Sequence, residues 1–138
     1  MPQPGQVLEG PDGFRLLLVE TGEDVLVMEA TYSGTAGMPP EHLHPGQEER
    51  FEVIEGSMRA IVGGEERVYG PGEPFTVPAG TPHQMAAEGP TRTRWEVRPA
   101  LRTAEFFEEL YAAIAAENWN EVGAVIGRHA DEFQLTQA

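Results

Sequence analysis

The stretch "HLHPGQEERFEVIEG", residues 42–56, places two histidines one residue apart and continues through an acidic turn into an alternating segment. On a β-strand, residues two positions apart point the same way, with side-chain origins about 6–7 Å apart. The imidazoles of His42 and His44 can therefore reach one ion at about 2.1 Å each. An isolated HxH pair is more often simple polarity at a strand edge, so the rest of the chain must decide between these interpretations.

The acidic residues that follow the histidine pair offer a carboxylate ligand. Glu49 begins the alternating segment and shares a face with Phe51 and Val53. If that face points inward, Glu49 joins the two histidines inside an apolar pocket. Glu48 points the other way and is the weaker candidate, although a β-bulge would exchange the two.

Between Phe14 and Val97 the chain alternates short apolar runs with turn residues, a pattern typical of many short strands. The pair Gly63 and Gly64 indicates a hairpin, and Pro74 and Pro78 restrict their segment to an edge or irregular strand. The predicted strands cover residues 14–20, 25–33, 51–56, 57–62, 65–69 and 91–98. In the last of them apolar residues and threonines alternate with charges, which indicates an antiparallel sheet with one wet face and favours a sandwich or barrel.

After Pro99 the period of the apolar residues changes from two to that of a helix. We predict a helix over residues 103–117 with Thr103 as its N-cap, and a second helix in which Asn118 and Glu121 have capping-box spacing. His129 lies on the apolar stripe of the second helix, which favours a hydrogen-bonded, half-buried histidine over a further ligand. The expected organisation is a barrel over residues 1–100 with residues 101–138 packed on it as a helical extension.

Composition excludes several classes of function. The formal net charge of −14 disfavours nucleic acid as a partner. No apolar run approaches the ~20 residues of a membrane span, and the first residues have no signal pattern, so we expect no membrane association and a cytoplasmic protein. The chain has neither lysine nor cysteine, and neither Ser33 nor Ser57 lies in a GxSxG motif. The catalytic chemistry that remains for this chain depends on a metal ion or on carboxylates.

A second segment contains a third histidine that is a candidate ligand. In "GPGEPFTVPAGTPHQM", residues 70–85, a Gly- and Pro-rich turn delivers His83 at the start of a strand. Both segments resemble the two motifs of the cupin superfamily, G-x5-H-x-H-x3/4-E-x6-G and G-x5-P-x-G-x2-H-x3-N. The residues that fit the first motif are His42, His44, Glu49 and Gly56. Those that fit the second are Gly72, Pro78, Gly80 and His83.

The resemblance implies an all-β fold, an antiparallel double-stranded β-helix (jelly roll), here followed by two short C-terminal α-helices. It also implies that His42, His44, Glu49 and His83 are the protein ligands of a divalent transition metal: Fe, Mn, Ni, Co or Zn. Two positions depart from the motifs. Gly37 precedes His42 by four residues instead of five, and Ala87 replaces the asparagine of the second motif.

Other residues have the parity to line the site. Phe51, Val53, Met85 and Trp95 are expected to face the barrel interior as core or pocket wall, and Tyr32 and Gln47 are candidate hydrogen-bond partners of the ligands.

Cupins serve many functions, so two hypotheses stand together. The first is an enzyme acting on a small organic molecule, a dioxygenase-type oxidoreductase in which Glu49 ligates the metal and shuttles a proton. The second is a non-catalytic cupin that binds or senses a small molecule around a structural metal. In either case the apolar N-terminal strands and the amphipathic tail lead us to expect a homodimer.

Overall fold

A computed structural model describes residues 2–35 and 37–136 of the chain. Over these residues the backbone forms eleven strands and two α-helices. The strands are β1 (Val7–Glu9), β2 (Arg15–Thr21), β3 (Leu26–Tyr32), β4 (His42–Leu43), β5 (Glu48–Glu55), β6 (Met58–Val62), β7 (Glu65–Tyr69), β8 (Pro74–Val77), β9 (His83–Ala87), β10 (Thr91–Arg98) and β11 (Gln134–Leu135). The helices are α1 (Thr103–Ala115) and α2 (Trp119–Arg128), and a short 3₁₀ turn covers Pro11–Gly13.

The strands form two antiparallel sheets. The first has the order β1-β2-β3-β10-β5-β8, and the second has the order β11-β4-β9-β6-β7. Each described strand pair is antiparallel, and most neighbours are distant in sequence, as in a jelly roll. The predicted all-β antiparallel fold with two C-terminal helices is confirmed, and β8, which carries Pro74, lies at a sheet edge as its proline requires.

Local sequence explains two features that set the strand register. Gly63 and Gly64 both have positive φ, 58° and 86°, which is the conformation that a two-residue type I′ hairpin needs between β6 and β7. In β10 the side chains of Thr91, Thr93 and Val97 are buried. The charged residues that alternate with this set lie on the opposite face of the strand, so the period-two pattern determines which face of β10 turns inward.

The apolar face of the first sheet is covered in two different ways. Its β1–β3 side packs against α1 in one cluster that includes Leu16, Met28 and Phe106. Its β5–β8 side faces the second sheet across Phe51 and Phe75. Trp95 of β10 contacts both clusters, so it lies where the barrel interior meets the helical cover. The metal-site candidates lie on this boundary.

The helix ends agree with one of the two predicted caps. The Asn118 side chain accepts a hydrogen bond from the Glu121 backbone N–H at 3.2 Å, as predicted. The prediction of Thr103 as N-cap is wrong, because Arg102 occupies that position and makes no side-chain cap bond. Thr103 is buried instead, where its hydroxyl accepts a hydrogen bond from Gln47. Neither described helix has the length and apolarity needed to cross a membrane.

Candidate metal centre

Three histidines reach one point from two adjacent strands of the second sheet. His42 of β4 is the register partner of His83 of β9. His44 follows β4 directly, and its ring centroid lies 5.1 Å from that of each of the other two, while those of His42 and His83 are 4.4 Å apart. One ring nitrogen from each residue can be chosen so that all three lie within 4.8 Å of one another. The structure therefore brings the three predicted histidines together in a group that could hold a metal ion.

Backbone carbonyls fix which nitrogen of each ring is free. The Nδ1 atom of His42 is 3.1 Å from the Pro40 carbonyl oxygen, and that of His83 is 2.9 Å from the Thr81 carbonyl oxygen. His44 Nδ1 is 2.7 Å from the carbonyl oxygen of Glu132. A carbonyl oxygen only accepts, so each Nδ1 carries the proton and each Nε2 of a neutral ring presents a lone pair. This is the arrangement usual for metal-binding histidines.

Glu49 enters the site from the facing sheet. It lies on β5 with 1% of its surface exposed, whereas its neighbour Glu48 is exposed. Its Oε1 atom is 3.0 Å from Nε2 of His44 and 2.9 Å from Nε2 of His83. Its other oxygen, Oε2, accepts a hydrogen bond of 2.8 Å from the indole N–H of Trp95. The carboxylate thus has one oxygen held by the barrel wall and one directed at the histidines.

The Oε1 atom of Glu49 and the Nε2 atom of His44 are buried without a hydrogen-bond partner, although they are 3.0 Å apart. Two lone-pair acceptors at this distance repel one another unless a positive charge lies between them. Two ligand atoms at right angles on an ion with bonds of about 2.1 Å lie about 3.0 Å apart. The spacing and the orphaned atoms both fit a shared cation.

The acid–base state of the site also fits metal binding. Burial and the neighbouring His83 lower the pKa of His42 to about 4, so this ring is neutral near pH 7. Burial alone would raise the pKa of Glu49, but the His44 and His83 rings outweigh it and bring the pKa to about 2. Burial lowers the pKa of His44, yet the Glu49 carboxylate outweighs burial and raises it above the ordinary value. A proton at His44 therefore compensates Glu49 where no cation does so.

The predicted wall residues lie around the barrel interior. Phe51 stacks on Phe75 at 5.0 Å and on Trp95 at 5.2 Å, and Met85 packs at the edge of the same cluster. Val53 is fully buried beside Met58 and Ala87. Ala87, which replaces the asparagine of the second motif, is therefore part of an apolar cluster.

Tyr32 and Gln47 have other partners than the imidazoles. Tyr32 packs on Phe14 with ring centroids 5.1 Å apart, and burial raises the pKa of its phenol. The Gln47 amide N–H groups donate to the carbonyls of Pro99 and Ala100 and to Thr103, so Gln47 ties the start of β5 to the start of α1. The groups that orient the imidazoles are backbone carbonyls instead.

His129 forms a separate buried cluster. It is the C-cap of α2 and is fully buried, deeper than predicted. Its Nδ1 atom is 2.9 Å from Oε1 of Glu132, and its Nε2 atom is 3.2 Å from Oε1 of Glu109. Both ring nitrogens face carboxylate oxygens, which makes His129 a hydrogen-bonded structural residue outside the three-histidine group.

The C-terminal segment contributes to the site in a way that the sequence analysis missed. β11 pairs with β4, so that Leu135 lies opposite His42. The Phe133 ring stacks on the His42 ring with centroids 4.8 Å apart and an interplanar angle of 24°. The carbonyl that orients His44 belongs to Glu132. The apolar residues of "EFQL" at 132–135 were the available signal, but they do not reveal which strand they join.

The comparisons with known proteins agree with the observed fold. No protein of curated function matches the sequence. Among solved structures, KdgF from Halomonas sp. is 21% identical with a TM-score of 0.62, covering 68% of this chain and 86% of that one. TT1209 from Thermus thermophilus is 25% identical with a TM-score of 0.59, covering 65% and 87%. Pac13, a nucleoside dehydratase from Streptomyces, is 14% identical with a TM-score of 0.58, covering 70% and 77%. The family model described as "Cupin domain" matches residues 28–97, half of the chain, and the protein belongs to the cupin family.

Proposed function

We propose that the protein binds one divalent transition metal ion through His42, His44, His83 and Glu49, and that it acts on a small organic molecule at that centre. Three neutral nitrogens and one carboxylate leave a charge of +1 on a divalent ion, and this donor set suits Fe, Mn, Ni, Co or Zn. The observation that carries the proposal is the buried, unpartnered pair of acceptors, Nε2 of His44 and Oε1 of Glu49, at 3.0 Å.

The reaction that we propose is of the dioxygenase type. A bound ion would supply Lewis acidity and positions for substrate or oxygen. Glu49 is ionised, is held by the Trp95 indole, and is the residue that would accept or return a proton. The stacked rings of Phe51 and Trp95 form an apolar wall that keeps water from the carboxylate. The similar Pac13 is a dehydratase, so a test must include substrates for elimination as well as oxidation.

Metal binding is tested with a matched pair of variants. Glu49→Gln and Glu48→Gln remove the same charge from adjacent residues, one inside the barrel and one exposed. We expect tag-free protein to contain close to one equivalent of metal and Glu48→Gln to retain it. Glu49→Gln should bind at least about tenfold more weakly, because a neutral amide oxygen attracts a divalent cation less than a carboxylate does. Equal affinity of the two variants would exclude Glu49 as a ligand.

Fluorescence gives an independent measure of where the ion binds. The chain contains two tryptophans, and Trp119 is 63% exposed on α2. In Trp119→Phe protein the remaining emission comes from Trp95, whose indole N–H contacts Glu49. Titration with Co(II) should quench this emission with a stoichiometry of one. Unchanged emission at saturating Co(II) would contradict the proposed site.

Activity is tested by oxygen consumption and product analysis on protein loaded in turn with each of the five metals, against small phenols, keto acids, sugars and nucleosides. Turnover that disappears in Glu49→Gln but persists in Glu48→Gln supports an enzyme. If every loaded form leaves the whole panel unchanged, the enzymatic proposal fails.

A second candidate is a non-catalytic cupin that binds or senses a small molecule around a structural metal. What favours it is the filling of the barrel: Tyr69 stacks on Phe75 at 4.2 Å, and Phe75 stacks on Phe51 at 5.0 Å. A barrel filled with aromatic rings leaves limited space for a reacting molecule. Ligands that raise the melting temperature and are recovered unchanged would support this candidate, whereas product formation would rule it out.

We also propose that the protein is a homodimer. β1 is an edge strand of the first sheet, and Val7 of β1 and Val19 of β2 are exposed apolar residues close to this edge. An exposed edge with apolar side chains favours pairing with a second copy. Sedimentation of a monomer at micromolar concentration would contradict this proposal.

A further inference from the structure

Residues 132–136, here named the C-terminal strap, form one layer over the three-histidine group. Their β11 portion adds to the edge of the second sheet beside β4. Thr136 tethers the end of the strap, because its N–H donates to the Glu41 carbonyl and its hydroxyl donates to the Glu41 carboxylate at 2.6 Å. Gln134 and Leu135 are exposed on the outer side. The strap is therefore a thin cover attached to the strand that carries His42.

Two different contacts join the strap to the histidines. The carbonyl of Glu132 accepts the Nδ1–H of His44 at 2.7 Å, the shortest of the three carbonyl contacts that orient the rings. The ring of Phe133 stacks on His42 at 4.8 Å. The first contact sets the tautomer of one histidine, and the second sets the ring plane of another. Both therefore affect which way an Nε2 lone pair points.

The helices hold the strap in this position. Phe106 of α1 also stacks on Phe133, with centroids 5.1 Å apart and an interplanar angle of 28°. The Glu132 carboxylate bonds to His129, which in turn faces Glu109 of α1. The backbone N–H groups of Glu132 and Phe133 both donate to the carbonyl of His129. A displacement of α1 or of the end of α2 would move the strap and both of its contacts.

We propose that the C-terminal strap is an integral part of the metal centre, in which Glu132 and Phe133 are positioning residues that set its metal affinity. This inference rests on the proposed metal binding at the three histidines. Groups that orient metal ligands typically change metal affinity by about 10- to 100-fold when removed. Because coupling between two equilibria is reciprocal, a strap that tightens metal binding must itself be held more firmly when metal is bound.

The first test compares two substitutions in the strap. Phe133→Ala removes the ring on His42, and Leu135→Ala shortens an exposed side chain of the same strap. In competition titrations with Zn(II), Phe133→Ala should bind at least about tenfold more weakly than wild type. Leu135→Ala should stay within about twofold, and Phe133→Tyr, which keeps the ring, should restore the affinity. The visible spectrum of the Co(II) form should change in Phe133→Ala alone, because that spectrum reports ligand geometry.

The second test uses the unmodified chain and stands even if Phe133→Ala does not fold. Amide hydrogen exchange at Phe133 and Thr136 is measured with and without Zn(II). Both amides should exchange at least about tenfold more slowly with metal, whereas the Val122 amide in the first turn of α2 should change by less than about twofold. Unchanged strap amides, or equal slowing at Val122, would overturn the inference.

These tests distinguish failure of the proposed role of the strap from failure of the proposed metal binding. Wild-type protein that binds no metal refutes the proposed function, and the inference fails with it. Wild-type protein that binds metal while Phe133→Ala binds equally well, with the same Co(II) spectrum, refutes only the role of the strap.

Discussion

Replacement of Trp95 by phenylalanine tests whether the buried carboxylate is held as the structure shows. The substitution keeps an aromatic ring between Phe51 and Phe107, each with its centroid 5.2 Å from that of Trp95, but it removes the N–H that donates to Glu49. A hydrogen bond to a charged group contributes about 1.5–3 kcal/mol. The smaller ring loses roughly another 1 kcal/mol of apolar burial, at about 25 cal/mol per Å². Metal-free Trp95→Phe should therefore be about 2.5–4 kcal/mol less stable than wild type.

Urea denaturation in the presence of a chelator measures this difference, as a lower midpoint with an unchanged slope. Trp119→Phe is the matched control, because Trp119 is 63% exposed, and it should stay within about 0.5 kcal/mol of wild type. A double-mutant cycle of Trp95→Phe with Glu49→Ala, which leaves no acceptor for the indole N–H, isolates the contact and should give a coupling free energy of at least about 1 kcal/mol. A loss below about 1 kcal/mol in Trp95→Phe, or a coupling near zero, would refute the reasoning about the Glu49 contact.

Three further predictions concern the fold and its pH dependence. Burial alone would raise the pKa of Glu109, but His129 and Arg128 outweigh burial and lower this pKa below 4.5. The ionised Glu109 therefore stabilises the fold fully above pH 4.5, and this stabilisation is lost as the pH falls through the lowered pKa. In Glu109→Gln protein the free energy of unfolding, measured by urea denaturation, should fall less steeply on acidification than in wild type. Gly56→Ala should lower the free energy of unfolding by more than about 2 kcal/mol in urea denaturation, because φ is 84° and an added Cβ would clash with the turn before β10. Gly89→Ala is the control: φ is 88°, but no atom lies within 4 Å of the added Cβ, so the loss should be only about 1 kcal/mol. Asn118→Ala should lower the thermal midpoint by an amount equivalent to about 1 kcal/mol through loss of the α2 cap, and an unchanged midpoint would exclude that role.

Local sequence patterns predicted most of the fold, because they determine the conformation of residues that are close together in the chain. The two-residue alternation of β10 and the glycine pair at 63–64 each determine a conformation that neighbours enforce. The resemblance to the two cupin motifs likewise pointed to His42, His44 and His83, which meet in space. The capping prediction failed at Thr103 for a tertiary reason: Gln47, 56 positions earlier in the chain, uses that hydroxyl as an acceptor, and no local rule reveals such a partner.

The groups that orient the three imidazoles cannot be recognised from a pattern of side chains in the sequence. Pro40, Thr81 and Glu132 act on the histidines through carbonyl oxygens, and every residue has a carbonyl. For His42 and His83 the carbonyl belongs to the residue two positions earlier in the chain, whereas the carbonyl of Glu132 reaches His44 only because the chain returns after 88 residues. Sequence therefore identifies candidate metal ligands by type and spacing, whereas a distant orienting group such as the Glu132 carbonyl is found only in the packed structure.

The outer contacts of His44 and Glu49 explain why the site keeps an unfavourable pair of acceptors 3.0 Å apart. His44 cannot turn away without breaking its bond to the Glu132 carbonyl, and Glu49 cannot turn away without losing the Trp95 indole. The repulsion is therefore relieved by a charge, either a proton on His44 or a cation shared by all the donors. A cation relieves it for every ring at once, so metal should stabilise the folded protein. At a hundredfold excess over the dissociation constant the gain is about 2.7 kcal/mol, and a melting temperature that does not respond to metal would contradict a preorganised centre.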